Sequence, residues 1–111
     1  MRVQQKEIVL LPYPFSNLEE RKFRPAVVVS SNSFNKCSQD CIAVPMTSVL
    51  KKEPFSIPIR ETDLAKGRLI KPSRIRVDKI FSVEKELVKV KIGLLNDFIF
   101  EDIRKFLLDL F

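Results

Sequence analysis

Arg21, Lys22 and Arg24 lie within four positions of one another in the stretch ERKFRPAVVVSS, and Thr47 closes a second apolar run, CIAVPMTS. These groups suit phosphate. A planar guanidinium clamps two phosphate oxygens, and a hydroxyl donates to another. Three crowded cations repel one another, a cost that is offset when an anion sits over them. Pro25 biases Arg24 toward extended backbone and so holds the root of its side chain still. The chain contains no histidine, so any proton work at such a site falls to arginine, threonine and their neighbours Glu20 and Lys22. Taken alone, Arg24 also reads as a solvated loop-end cation, and Thr47 as a strand-end hydroxyl satisfying a turn amide.

The elements that must position these residues are short strands followed by a helix. Glu7 to Leu11 is a compact apolar run stopped by Pro12 and Pro14, Ala26 to Ser30 is β-branched, and Cys41 to Met46 is a third short apolar run. Phe55 to Ile59 alternates with prolines and fits an edge strand. Ser73 to Val83 sets Ile75 and Val77 on one parity and Arg74, Arg76 and Asp78 on the other, so the arginines are expected to share a face. Ser30 to Asp40 reads as a turn, with room for one helical turn capped at Asn32 or Ser33. After Gly93 the period changes. Asn96 is a good N-cap, acids follow it, and Ile99, Ile103, Phe106, Leu107 and Leu110 recur at helical spacing. Five or six short strands and one amphipathic helix predict a mainly β domain: a small, strongly curved sheet or partly open barrel with the helix packed on it. If the strands at Ala26 and Cys41 are antiparallel neighbours, Arg24 and Thr47 converge on one rim.

Size and composition agree with one domain over residues 1–111. The chain is 45% apolar and 31% charged, and no apolar stretch approaches the roughly 18 residues a spanning helix needs. The polar start and the brief run from Ile8 to Leu11 do not resemble a signal peptide, so a cytoplasmic location is expected, with no membrane partner. Cys37 and Cys41 are the only cysteines. They can form a disulfide or stay as two reduced thiols with Cys41 half-buried at a strand start. Two Cys and no His support neither a structural zinc nor another metal site, and no cofactor is expected. The formal charge is +6. Between Lys66 and Lys79 six cations (Lys66, Arg68, Lys71, Arg74, Arg76, Lys79) face the single anion Asp78, a footprint suited to a polyanion or to simple solvation. Phe55, Phe81 and Phe106 read as core or subunit contacts before stacking platforms for bases.

In register, EIVLLPYPFSNLEERKFRPAVVVSSNSFN, CIAVPMTS, GRLIKPSRIRVDKIFSVEK and KIGLLND resemble the MazF/PemK family of toxin endoribonucleases, also called mRNA interferases. The likeness covers nearly the whole chain. It rests on Arg-Pro opening a β-branched strand, Pro-x-Thr-Ser closing the next, and Ser-x-x-Arg-Val-Asp-Lys followed by Ile-Gly-x-Leu. The resemblance implies an SH3-like barrel with a C-terminal helix. It also implies a homodimer whose groove takes single-stranded RNA, a cognate acidic antitoxin, and Arg24 and Thr47 as the catalytic pair, with an acid–base part for Arg24. Arg21, Lys22, Ser48, Lys71, Ser73, Arg74, Arg76 and Lys79 are then candidates for RNA binding. The first loop departs from many relatives, which carry glycines and a Thr-Asp pair where Phe15-Ser16-Asn17-Leu18 stand here.

Metal-independent RNA cleavage drives the 2′-hydroxyl at the adjacent phosphorus and leaves a 2′,3′-cyclic phosphate and a 5′-hydroxyl. A catalyst must then stabilise the added negative charge and assist two proton transfers. Rival readings are an RNA-binding module without catalysis and a toxin like the CcdB group, which acts on gyrase through a C-terminal Trp-Gly-Ile. This chain has no tryptophan and ends LLDLF.

Overall fold

The computed structural model describes residues 2–13, 23–69 and 71–111. Eight strands are interleaved with helical turns: β1 (Glu7–Pro12), β2 (Phe23–Val28), helix α1 (Asn32–Cys37), β3 (Asp40–Thr47), β4 (Ser56–Ile59), β5 (Leu64–Gly67), β6 (Ser73–Arg76), β7 (Phe81–Glu84), β8 (Val90–Leu95) and helix α2 (Asp97–Leu110). They form one sheet in the order β4-β6-β3-β2-β1-β8-β5, with β7 pairing β3 off that path. Every pairing is antiparallel. The expected mainly β, curved fold with its C-terminal helix is therefore present, and the proline-bearing strand β4 is at an edge.

The sheet curves because β3 changes partners along its length. Asp40 to Ala43 pair with β7, whereas Met46 and Thr47 pair with β6. The run expected as one strand from Ser73 to Val83 is consequently two, turned at a 3-10 corner over Val77–Lys79. Val77 stays buried there and its N–H donates to the Phe55 carbonyl at 3.0 Å, so the corner keeps both its apolar anchor and its backbone bond. β5 and β8 were not expected as strands. Each carries a glycine, and Gly67 (φ +91) lies so close to β8 that a Cβ would meet the Ile92 carbonyl oxygen at 2.2 Å.

Strand parity divides the apolar residues between two faces. Ile8, Val27, Val44, Met46, Ile75 and Val77 face α2, which contributes Phe100 and Ile103. On the other face Val9, Leu11, Ala26, Val28, Cys41 and Ala43 gather with Phe81 and Val88. Helix α2 begins as anticipated, with the Asn96 side chain accepting from Ile99 N–H at 2.9 Å and Asp97 held by Lys6 at 2.7 Å. α1 is the expected helical turn, but its cap is Ser31, which accepts from Phe34 N–H at 3.2 Å. β2 starts at Phe23, three residues before the expected strand. Phe55 and Phe106 pack on each other with centroids 5.2 Å apart, and Phe81 is buried. Both cysteines are free thiols, and Cys41 is fully rather than half buried, which pushes its thiol up to about 11.

Candidate nucleic-acid interface

Arg24 and Thr47 come together through the β2–β3 register. The ladder pairs Val28 with Ala43, Val27 with Val44 and Ala26 with Pro45; carried two residues further, it sets Arg24 across from Thr47. Both have the parity of the second face, shared with Ala26, Val28 and Ala43, so their side chains rise on the same side of the sheet. Arg24 is exposed, Thr47 half-buried. The Thr47 Oγ1 accepts from Val49 N–H at 3.1 Å, and among the described residues no acceptor takes its proton. It can donate that proton outward.

Both residues line a groove of about 1290 Å³. Among the described residues its cations are Arg24, Arg68, Lys71, Arg76 and Lys79, and none of the described residues brings a carboxylate to the lining. Hydroxyls come from Tyr13, Thr47, Ser48 and Ser73, and an apolar floor from Leu10, Leu69 and Ile92. Cations over an apolar floor fit a ligand that offers phosphates on one side and flat apolar faces on the other.

The candidates from sequence separate once placed. Ser48, Lys71, Ser73, Arg76 and Lys79 line the groove with the Arg24–Thr47 pair. Ser73 is nevertheless buried, and its hydroxyl donates to the Lys71 carbonyl at 3.2 Å. Arg74 lies outside the lining and reaches Ser56 on β4, with Nε to Oγ at 3.0 Å and Nη2 to the carbonyl at 3.3 Å. Arg76 is held by Asp78 through two bonds of 3.0 and 2.9 Å. That pairing raises the guanidinium further above its ordinary range and holds the Asp78 carboxyl below the usual carboxylate range. Arg21 and Lys22 lie outside the described residues.

Two groove residues were not singled out from sequence as parts of a site. Arg68 was counted only within the basic stretch. Tyr13 follows β1, and its ring centre lies 5.7 Å from the Arg24 Cζ. Its hydroxyl lies against the carbonyls of Pro25 and Met46 and accepts from Met46 N–H at 3.0 Å. Burial pushes its phenol up to about 12, so it keeps its proton at ordinary pH.

A sequence model of the PemK-like, MazF-like toxins of type II toxin–antitoxin systems matches residues 4–111. The chain belongs to this family. Among solved structures, a MazE–MazF complex from Deinococcus radiodurans superposes with TM-score 0.79 at 19% identity, over 99% of this chain and 96% of that one. An endoribonuclease in complex with its cognate antitoxin from a mycobacterial species gives 0.77 at 16% identity, over 96% and 92%. The Mycobacterium tuberculosis toxin MazF-mt6 gives 0.74 at 14% identity, over 93% of each chain. At such identities these likenesses speak for the fold, which is MazF-like throughout the chain. No curated protein sequence matches at a significant level.

Proposed function

We propose that this family member is an endoribonuclease toxin that cleaves single-stranded RNA in the cationic groove, with Arg24 and Thr47 as its catalytic residues. The observation carrying this reading is the meeting of a guanidinium and a donating hydroxyl on one face of adjacent strands, at a groove to which the described residues bring five cations and no anion. The family match supports the toxin role, and the mycobacterial relative is an endoribonuclease.

In this reading the scissile phosphate lies over the β2–β3 strand ends. Arg24 bonds two of its oxygens and Thr47 donates to an oxygen as charge builds on phosphorus. The 2′-oxygen bonds to phosphorus, the bond to the 5′-oxygen breaks, and one proton leaves the former as one reaches the latter. A guanidinium keeps its own charge in proteins, so Arg24 acts first as a clamp and charge stabiliser. Ser48, Arg68, Lys71 and Lys79 hold the flanking phosphates. A homodimer extends the groove over several nucleotides, consistent with the exposed Phe98, Leu108 and Phe111 along and just beyond α2. An acidic antitoxin segment is attracted by the same cations, as a cytoplasmic toxin–antitoxin pair requires.

The test is incubation of purified protein with a long single-stranded RNA in EDTA, with cut sites and ends mapped. Cuts bearing 2′,3′-cyclic phosphate and 5′-hydroxyl ends are expected, from a protein that scatters light as a dimer and stops cutting when its acidic antitoxin is added. Activity abolished by EDTA and restored by magnesium overturns the metal-independent reading.

A further inference from the structure

Between Arg24 and Thr47 the sheet lacks a rung that an ordinary antiparallel pair would have. Carried one residue beyond the Ala26–Pro45 pair, the β2–β3 register sets Pro25 across from Met46, and two residues in a hydrogen-bonded pair normally exchange both N–H···O bonds. Pro25 has no N–H to give. The phenol of Tyr13 occupies the break. It accepts from Met46 N–H at 3.0 Å, approaches the Met46 carbonyl at 2.9 Å and contacts the Pro25 carbonyl; its single proton serves one carbonyl at a time. The residues bonded are the one just after Arg24 and the one just before Thr47. The same ring lies under the Arg24 guanidinium and beside the buried Phe81, with centroids 5.7 Å apart.

We infer that Tyr13 is a positioning residue: its hydroxyl, set into the Pro25–Met46 rung, fixes the spacing of Arg24 and Thr47 so that one phosphate can touch both. This rests on the ribonuclease reading above. The hydroxyl acts through the backbone of β2 and β3, while the ring holds the guanidinium's face and leaves its N–H edge open. Burial keeps the phenol protonated, so the donor stays available across the working pH range. Without the oxygen, the strand ends close up or splay, and either movement misaligns a clamp whose geometry matters at the ångström scale.

The variant is Tyr13→Phe, which keeps the ring and removes the hydroxyl. It is expected to melt cooperatively, to bind RNA within about two-fold of the parent because the groove cations are intact, and to cleave roughly 10- to 100-fold more slowly in single turnover at saturating protein. In an Arg24→Lys background, where the clamp is already broken, Tyr13→Phe should cost nothing further. A folded Tyr13→Phe that cleaves at the parent rate overturns the inference, as does a full multiplicative loss in the Arg24→Lys background. Should the parent itself not cleave RNA, the ribonuclease reading falls, and Tyr13 is judged by the Arg24 guanidinium NMR signals during titration with an uncleavable 2′-O-methyl oligonucleotide. Signals that move in the parent and not in Tyr13→Phe uphold the positioning role, and equal movement in both overturns it.

Discussion

The arginines of β6 and the arginine of β2 belong to one basic face, yet their side chains are engaged very differently. Arg74 is bonded to Ser56, and Arg76 is clasped by Asp78. Arg24 has a tyrosine ring at one face, and among the described residues no carboxylate lies within ion-pair distance of it. The β6 arginines spend their hydrogen bonds on the fold. Among the described residues nothing takes up those of Arg24, which stands beside an undonated hydroxyl. The lesson is that charge along a stretch of sequence does not locate a site; the arginine whose bonds remain open does, because only that one can offer two donors to a ligand without first breaking a contact.

The largest way to break this comparison is to remove the two-pronged geometry and keep the charge. Arg24→Lys should bind RNA nearly as well as the parent but cleave about 100- to 1,000-fold more slowly, on the order of a lost oxyanion donor. Thr47→Val should fall less far, by roughly 10- to 100-fold, as a single hydrogen bond to a charged group is lost. Single-turnover cleavage at saturating protein, with thermal unfolding as the control, reads both. A folded Arg24→Lys that cleaves at the parent rate makes Arg24 one more solvated cation.

That Arg24 and Thr47 meet was legible in the sequence, because it needs only two β-branched or apolar runs lying antiparallel, each with its functional residue at the appropriate end. Helix α2 was legible for the same kind of reason: a cap, acids behind it and a sustained apolar period. The fate of Arg74 and Arg76 was not. Alternation puts them on one face of β6, as expected, but it says nothing of the partners that capture them, which come from β4 and from Asp78 at the turn just after Arg76. Strands β5 and β8 were hidden because their half-exposed faces and glycines carry little alternation. They exist because Gly67 lets the two backbones close. Tyr13 left a faint signal: a proline near the start of an internal strand such as β2 means a missing donor, and something nearby must take its place.

A smaller test sharpens the comparison within the basic stretch itself. Arg68 lines the groove, is exposed and is free to meet a phosphate, whereas Arg74 is turned to Ser56. Arg68→Ala should weaken RNA binding several-fold and reduce the slope of log affinity against log salt by about 0.7, one phosphate's share for a single strand. Arg74→Ala should leave that slope unchanged and instead lower the melting temperature slightly. Neither should alter the cleavage rate of bound RNA. Equal salt slopes for the two variants would mean that the groove reads the whole stretch as diffuse charge.

The smallest effect, and the one that separates fold from site most cleanly, is at Asp78. Its carboxyl is held below the usual range mainly by the Arg76 hydrogen bonds. A carboxyl depressed in the folded state contributes stability above its unfolded pKa, and loses that contribution as the pH falls through its folded value. Asp78→Asn should therefore lower stability at neutral pH, and the gap from the parent should close in acid once the parent's own Asp78 is protonated. The pair is partly solvent-exposed, so the neutral-pH loss should be only about 0.2–1 kcal/mol. RNA binding should move the other way. Releasing Arg76 adds a free guanidinium to the groove, and removing the Asp78 charge lowers repulsion of phosphate, so affinity should rise and its salt slope steepen by about one contact. Melting curves at neutral and acid pH, together with binding at two salt concentrations, test both signs. A stability gap that persists in acid would show that Asp78 acts through packing rather than charge. An affinity that does not rise would show that Arg76 already meets RNA while held by Asp78, and the contrast with Arg24 would then lie in geometry alone.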